Sequence, residues 1–221
     1  MHLVFFVEEP SLELALTELL PKILPSNVTS NIHGYGGKDE FFKKVPNRLK
    51  GYQPSLPPDW KIVLLIDEDR EDCLKLKKQL EDMAISAGLI PKSSCQKDKS
   101  FQVLNRIVVE ELEAWFFGDV EAICQAYPKV SADLAKQKGY RDPDAIKGGT
   151  AEALERVLKK AGYHLGGLQK KKASSEISQY MNPELNRSKS FQVFYQGLLE
   201  IINSSRYNQL YRQCSLSSLL S

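Results

Sequence analysis

The chain has 221 residues, 42% of them hydrophobic and 26% charged, with a formal net charge of +2. This is an ordinary composition for a soluble globular protein, with length for one α/β domain plus an appendage or for two small domains. No apolar run reaches the roughly 20 residues that span a bilayer, and the N-terminus enters a strand at once without the layout of a signal peptide; a cytoplasmic protein with no membrane contact is expected.

The first element is the apolar run Leu3–Val7, which reads as a buried strand and ends directly in Glu8 and Glu9. Pro10 suits the first turn of a helix, and Leu12, Leu16, Leu19, Leu20 and Ile23 recur at helical spacing. A second strand is expected over Val28–Ile32. The loop from His33 to Lys38 is glycine-rich, but Asp39 follows Lys38 where a Walker A loop needs Ser or Thr, and GxGxxG does not fit either. A helix starting near Lys38 carries Phe41, Phe42, Val45 and Leu49. Lys38, with Lys43 and Lys44, is a candidate for contacts to phosphate. A proline-rich surface loop fills 51–60.

Ile62–Ile66 is again a short buried-strand run, followed at once by Asp67, Glu68 and Asp69. Asp67 and Asp69 are two apart, so on extended backbone they point the same way. Converging carboxylates repel and raise a pKa, and a hard divalent ion such as Mg²⁺ or Mn²⁺ relieves the repulsion. The plainer reading is that these acids begin the next helix, where its dipole favours negative charge, with Asp67 as an N-cap. The two acidic clusters at corresponding strand ends favour a shared cation on Glu8, Asp67 and Asp69.

A helix over about 72–87 has Leu76, Leu80, Met83, Ala84 and Ala87 on one face and Gly88 as its stop. Phe101–Val109 reads as a fourth strand, ending in Glu110, Glu111 and Glu113. Trp115 and Phe116 read as packing at a helix start, and Glu113 beside them needs a partner or a proton. From Asp119 onward the pattern is helix and loop: helices over 120–127, 150–161 and about 174–181, then a long one after Asn186-Arg187-Ser188-Lys189-Ser190, with the tail from Asn208 fraying. Ser188 or Ser190 is a candidate N-cap, and Arg187 and Lys189 would support an anion there. The cysteines Cys73, Cys95, Cys124 and Cys214 fit no zinc spacing, so reduced thiols are expected. Residues 1–125 carry 15 Lys+Arg against 20 Asp+Glu, a balance of −5; residues 126–221 carry 15 against 8, a balance of +7. The expected organisation is therefore an α/β domain over 1–125 and a compact helical appendage over 126–221 packed on it. The basic part could grip a phosphate backbone, and a solvated lysine surface has the same sequence pattern.

Strand-Glu followed by strand-DxD in an α/β sheet resembles the Toprim fold of topoisomerases, primases and the overcoming-lysogenisation-defect nucleases. The chain resembles most a bacterial Toprim-like family of unknown function through VEEPSLE (7–13), GGKDEFFKKVPNRLKGY (36–52), VLLIDEDREDC (63–73), RIVVEELEAWFFGD (106–119), AYPKV (126–130) and NRSKSFQVFYQGL (186–198). The resemblance implies a mainly parallel sheet flanked by helices, and Mg²⁺ held by Glu8, Asp67 and Asp69 for phosphodiester chemistry on nucleic acid. Glu113, Trp115 and Asp119 match the family's ExW…D signature. The nuclease pattern has Gly where this chain has Glu9, and a further Glu at the place of Leu12, which favours one metal ion over two. The resemblance also implies a role in antiphage defence, with the alternative of a non-catalytic or partner-activated subunit beside an ATPase. Phosphatases of the haloacid-dehalogenase type also place DxD after a strand, but Glu71 stands where they have Thr or Val.

Overall fold

The computed structural model describes residues 1–95 and 100–217. The chain opens β1 (His2–Val7), α1 (Pro10–Ile23), β2 (Thr29–Gly34), α2 (Lys38–Tyr52), β3 (Trp60–Asp67), α3 (Cys73–Ser86) and β4 (Val103–Val108). It continues as helices α4 (Glu113–Gly118), α5 (Val120–Ala126), α6 (Thr150–Lys160), α7 (Lys170–Ser178) and α8 (Lys189–Ser217), with short 3-10 turns between. The four strands form one parallel sheet in the order β2-β1-β3-β4. The fold is α/β, as the strand and helix patterns predict.

Burial explains why the central strands are the apolar ones. Leu3–Val7 in β1 and Ile62–Ile66 in β3 have no exposed surface, because helices cover both faces of a parallel sheet. Alternation along each strand divides the residues between two cores. Val4, Phe6, Ile62, Leu64 and Ile66 pack with Phe41, Val45 and Leu49 of α2 and Leu76, Leu80 and Ala84 of α3. Leu3, Phe5, Val7, Val63 and Leu65 pack with α1 and with residues of α4 to α8, among them Trp115, Leu154, Ile177 and Phe194. β2 is an edge strand, and its sequence Thr-Ser-Asn-Ile-His-Gly is accordingly polar and half-buried.

The C-terminal helices are fastened to the sheet by polar contacts as well. Lys22, in the last turn of α1, donates its ammonium to the carbonyls of Ser178, Gln179 and Met181 at 2.9, 2.7 and 2.9 Å. The Ser178 and Gln179 carbonyls end α7 at its negative dipole pole, and the Met181 carbonyl belongs to the turn that follows. Ser174 donates to the Ser11 carbonyl.

Several boundaries differ from those predicted. β2 lies one to two residues later than 28–32, because its register follows β1 from His2↔Thr29 to Val7↔Gly34. α7 begins at Lys170, a turn before Ser174; Lys170, Lys171 and Lys172 are good helix formers and open the helix. α8 runs past Asn208 to Ser217, and residues 218–221 of the tail expected to fray lie outside the described residues. No described helix is long and apolar enough to cross a membrane.

Candidate functional site

The strand order reverses between β1 and β3, so the crevice at their C-terminal ends is the topological switch point where open α/β sheets bind ligands. Glu8 leaves β1 there and Asp67 ends β3. Glu8 N–H donates to the Leu65 carbonyl at 3.2 Å, and Asp67 N–H donates to Glu8 Oε2 at 3.0 Å. Both side chains are 2% exposed. Asp67 is not a helix cap: Asp72 caps α3, accepting from the N–H groups of Leu74 and Lys75.

Asp67 lies on the sheet face that the C-terminal helices cover. Glu113, the first residue of α4, belongs to the same group, and it too is 2% exposed. Asp67 Oδ1 and Glu113 Oε2 are buried and have no hydrogen-bond partner. Burial pushes the Asp67 carboxyl well above its usual value, and repulsion from Glu8, Glu113, Glu9 and Asp69 adds to this. Burial likewise raises Glu113 to about 7, opposed by Lys170. It raises Glu8 to about 7, opposed by Lys38 and reinforced by Asp69.

Two lysines border this floor of carboxylates. Lys38, at the start of α2, reaches Asp69 Oδ2 at 3.0 Å, Glu71 Oε1 at 2.9 Å and the Glu68 carbonyl at 3.0 Å. Burial opposes its charge, but the bonds to Glu71 and Asp69 outweigh it and hold its pKa above the ordinary lysine value. Lys170, at the start of α7, stands 3.6 Å from Glu111. Burial opposes its charge too, and the carboxylates of Glu113, Glu9, Glu111 and Asp67 raise it. Lys170 was not legible as a site residue in the sequence, where it is one of three consecutive lysines.

The loops after β3 and β4 are joined into one rim. Glu68 N–H donates to the Val108 carbonyl and Asp69 N–H to the Glu110 carbonyl, both at 2.9 Å, while Glu110 N–H donates to Glu68 Oε2 at 3.0 Å. Asp69, Arg70 and Glu110 all have positive φ, at 50°, 65° and 60°. Non-glycine residues adopt this conformation at a cost of about 1 kcal/mol or more, and such strain collects at functional sites. The turn takes Asp69 off the extended path, so Asp67 and Asp69 no longer share one direction. Asp67 is buried while Asp69 is exposed and paired with Lys38. Glu111 accepts from Thr150 Oγ1 and Ala151 N–H, which joins the rim to the start of α6.

Among the described residues no group of three His, Cys, Asp or Glu side chains is assembled closely enough to hold a metal ion as it stands. The donor chemistry nevertheless fits a hard cation: an all-oxygen set with two buried carboxylate oxygens unpartnered.

The other expected site residues stand elsewhere. Lys43 and Lys44 are exposed on the outer face of α2, with Lys44 paired to Glu40. Arg187 and Lys189 are exposed at the start of α8, and the anion expected there is supplied by the protein itself. Asp144 accepts from Lys189 N–H, from Ser188 Oγ at 2.6 Å and from Ser190 Oγ at 3.2 Å. Ser188 is the N-cap, accepting from Phe191 N–H. In the ExW…D segment, Trp115 is packing, stacked at 5.0 Å from Phe194 and bonded through Nε1 to Ser190 Oγ. Asp119 caps α5 and accepts from Asn182 N–H.

Residues 7–199 match the family described as a domain of unknown function, DUF4276. The chain belongs to the DUF4276 family. The match spans every element from the end of β1 into α8, so the DUF4276 unit includes both the sheet and the C-terminal helices. No curated protein matches the chain. A solved structure, the C-terminal region of the OLD protein of Xanthomonas campestris pv. campestris, is similar over 93% of this DUF4276 chain and 97% of that chain, at 13% identity and a TM-score of 0.47.

Proposed function

We propose that the protein is a divalent-cation-dependent phosphodiesterase of Toprim type, acting on nucleic acid. The observation that carries this reading is the pair of buried carboxylate oxygens without partners, Asp67 Oδ1 and Glu113 Oε2, beside Glu8 at the switch point. A protein that only needed stability there would place apolar groups or pair the acids, since an unpaired buried carboxylate is costly. Asp67, Glu8 and Asp69 would hold Mg²⁺ or Mn²⁺, with Glu113 beside them. When bound, the ion would polarise a phosphoryl oxygen and lower the pKa of a water. Glu8 would serve either as a ligand of that ion or as the general base that takes a proton from the water. Asp69 and Lys38 form the open lip, where an incoming phosphate would meet them.

Calorimetry with Mn²⁺ on the wild type and on Asp67→Asn tests the ion, and cleavage assays on single- and double-stranded DNA and RNA test the reaction. Binding is expected in the wild type and lost in the variant, and cleavage is expected to disappear in Asp67→Ala and in Glu8→Ala. Cleavage that survives both changes at full rate would end the proposal.

A further inference from the structure

Lys38 makes three contacts at 3.0 Å or less, all of them to the loop that follows β3, and two of these are the Asp69 carboxylate and the Glu68 carbonyl. Its third acceptor, Glu71, lies on the same loop. An ammonium has three donors, so all of its hydrogen-bonding capacity is directed into this one loop. The helix that carries it starts after Gly37, whose φ of 113° no side-chain-bearing residue adopts readily. Glu40 accepts from Gly36 N–H and anchors the same turn. Lys38 is therefore delivered to Asp69 by a built turn, and its side chain is only 16% exposed. Asp69 is meanwhile held by strained backbone and by its N–H bond to Glu110, with its carboxylate turned to Lys38.

We infer that Lys38 is a resident counter-ion of Asp69, occupying the carboxylate that a divalent cation would otherwise claim, so that loading the site requires Asp69 to exchange its ammonium for the metal. This rests on the proposed cation site. Lys38 is then a positioning residue: it acts through Asp69 and sets how readily the site takes a cation. The ammonium offsets part of the negative charge of the crevice while the site is unloaded, and it competes with the ion for the same oxygen atoms.

Mn²⁺ affinity measured by calorimetry at fixed ionic strength tests the exchange. Lys38→Met is expected to bind Mn²⁺ roughly tenfold or more tightly than the wild type, because a cation a few ångströms from the ligand oxygens is removed and Asp69 is freed. Lys38→Arg keeps the charge and is expected to bind no more tightly than the wild type. Lys44→Met removes the same charge from an exposed position of the same helix and is expected to change affinity less than twofold. Equal or weaker binding in Lys38→Met overturns the inference, and so does tightening of the same size in Lys44→Met. If Lys38→Met does not fold, the side-chain NMR signal of Lys38 in the wild type titrated with Mg²⁺ decides: it is expected to shift on loading, and a signal that stays unchanged while Mg²⁺ binds refutes the exchange. Absence of Mn²⁺ binding in both wild type and Lys38→Met refutes the cation site itself, which separates the two failures.

Discussion

Glu113 offers the sharpest test of the buried carboxylates, because its contribution to stability has a definite sign. Its pKa is raised from 4.5 to about 7 in the folded protein, chiefly by burial. The folded state therefore binds the proton more tightly than the unfolded chain does. The stability this contributes is fully present below 4.5 and is lost as pH rises through about 7. At about 1.4 kcal/mol per pH unit the gap sets a ceiling of about 3 kcal/mol, and water reaching the carboxylate on relaxation lowers it to about 2 kcal/mol. Glu113→Gln removes the ionisation while nearly keeping the shape. In the presence of a chelator, the variant should be as stable as the wild type near pH 4 and more stable by about 2 kcal/mol near pH 8. In a domain of this size that corresponds to roughly 4–8 °C in melting temperature. Denaturant titrations of both proteins at the two pH values measure the difference. A variant destabilised equally at both would mean that Glu113 is ionised and paired throughout, and the argument from its unpartnered oxygen would fall.

Three further outcomes follow from other parts of the molecule. Millimolar Mg²⁺ should raise the melting temperature more near pH 8 than near pH 6, because protons and the ion compete for the raised carboxylates of Glu8 and Asp67; stabilisation independent of pH would place the ion elsewhere. Lys22→Met should cost about 2–3 kcal/mol in denaturant titration, since one ammonium satisfies three carbonyls at the end of α7 and in the turn after it. A loss below about 0.5 kcal/mol would show that water replaces it freely. Gly118→Ala should destabilise by about 2 kcal/mol or more, because its Cβ would strike Asn186 Oδ1 and approach the Ser188 backbone nitrogen to 2.9 Å. Thermal melts check this, and an unperturbed variant would mean that the turn before α8 can move aside.

The apolar strands and the acids that end them were legible because the two signals coincide. Leu3–Val7 and Ile62–Ile66 are too apolar for any place but the middle of a covered sheet, and Glu8 and Asp67 follow without a break. Strand adjacency was not in the sequence, yet it decides the site: β1 and β3 are neighbours although α1, β2 and α2 intervene. The shared direction of Asp67 and Asp69 was expected from period two and fails. The strand ends at Asp67, and positive φ at Asp69 and Arg70 turns the chain. Nothing in Asp-Glu-Asp-Arg announces that turn, since none of these residues is glycine. Asp144 was equally hidden: in the sequence it is one acid of a polar loop, and only the fold brings it to the start of α8.

The opposite charge balances of the two parts of the chain acquire a meaning once the contacts are seen. Within the basic excess of 126–221, Lys170 pairs with Glu111 and feels the charges of Glu113 and Glu9. Lys22 runs the other way, from α1 to the end of α7. The sheet's acidic edge is thus neutralised on one flank by a helix that arrives about a hundred residues later in the chain. Asp69, Lys38 and Glu71 form the other flank, where the Asp69 and Glu71 side chains are 43% and 46% exposed, against 19% for Glu111 beside Lys170. If the proposed phosphodiester substrate passes over the loop after β3, charge reversal at Lys38 should weaken its approach more than reversal at the exposed Lys43, Lys44, Arg187 or Lys189.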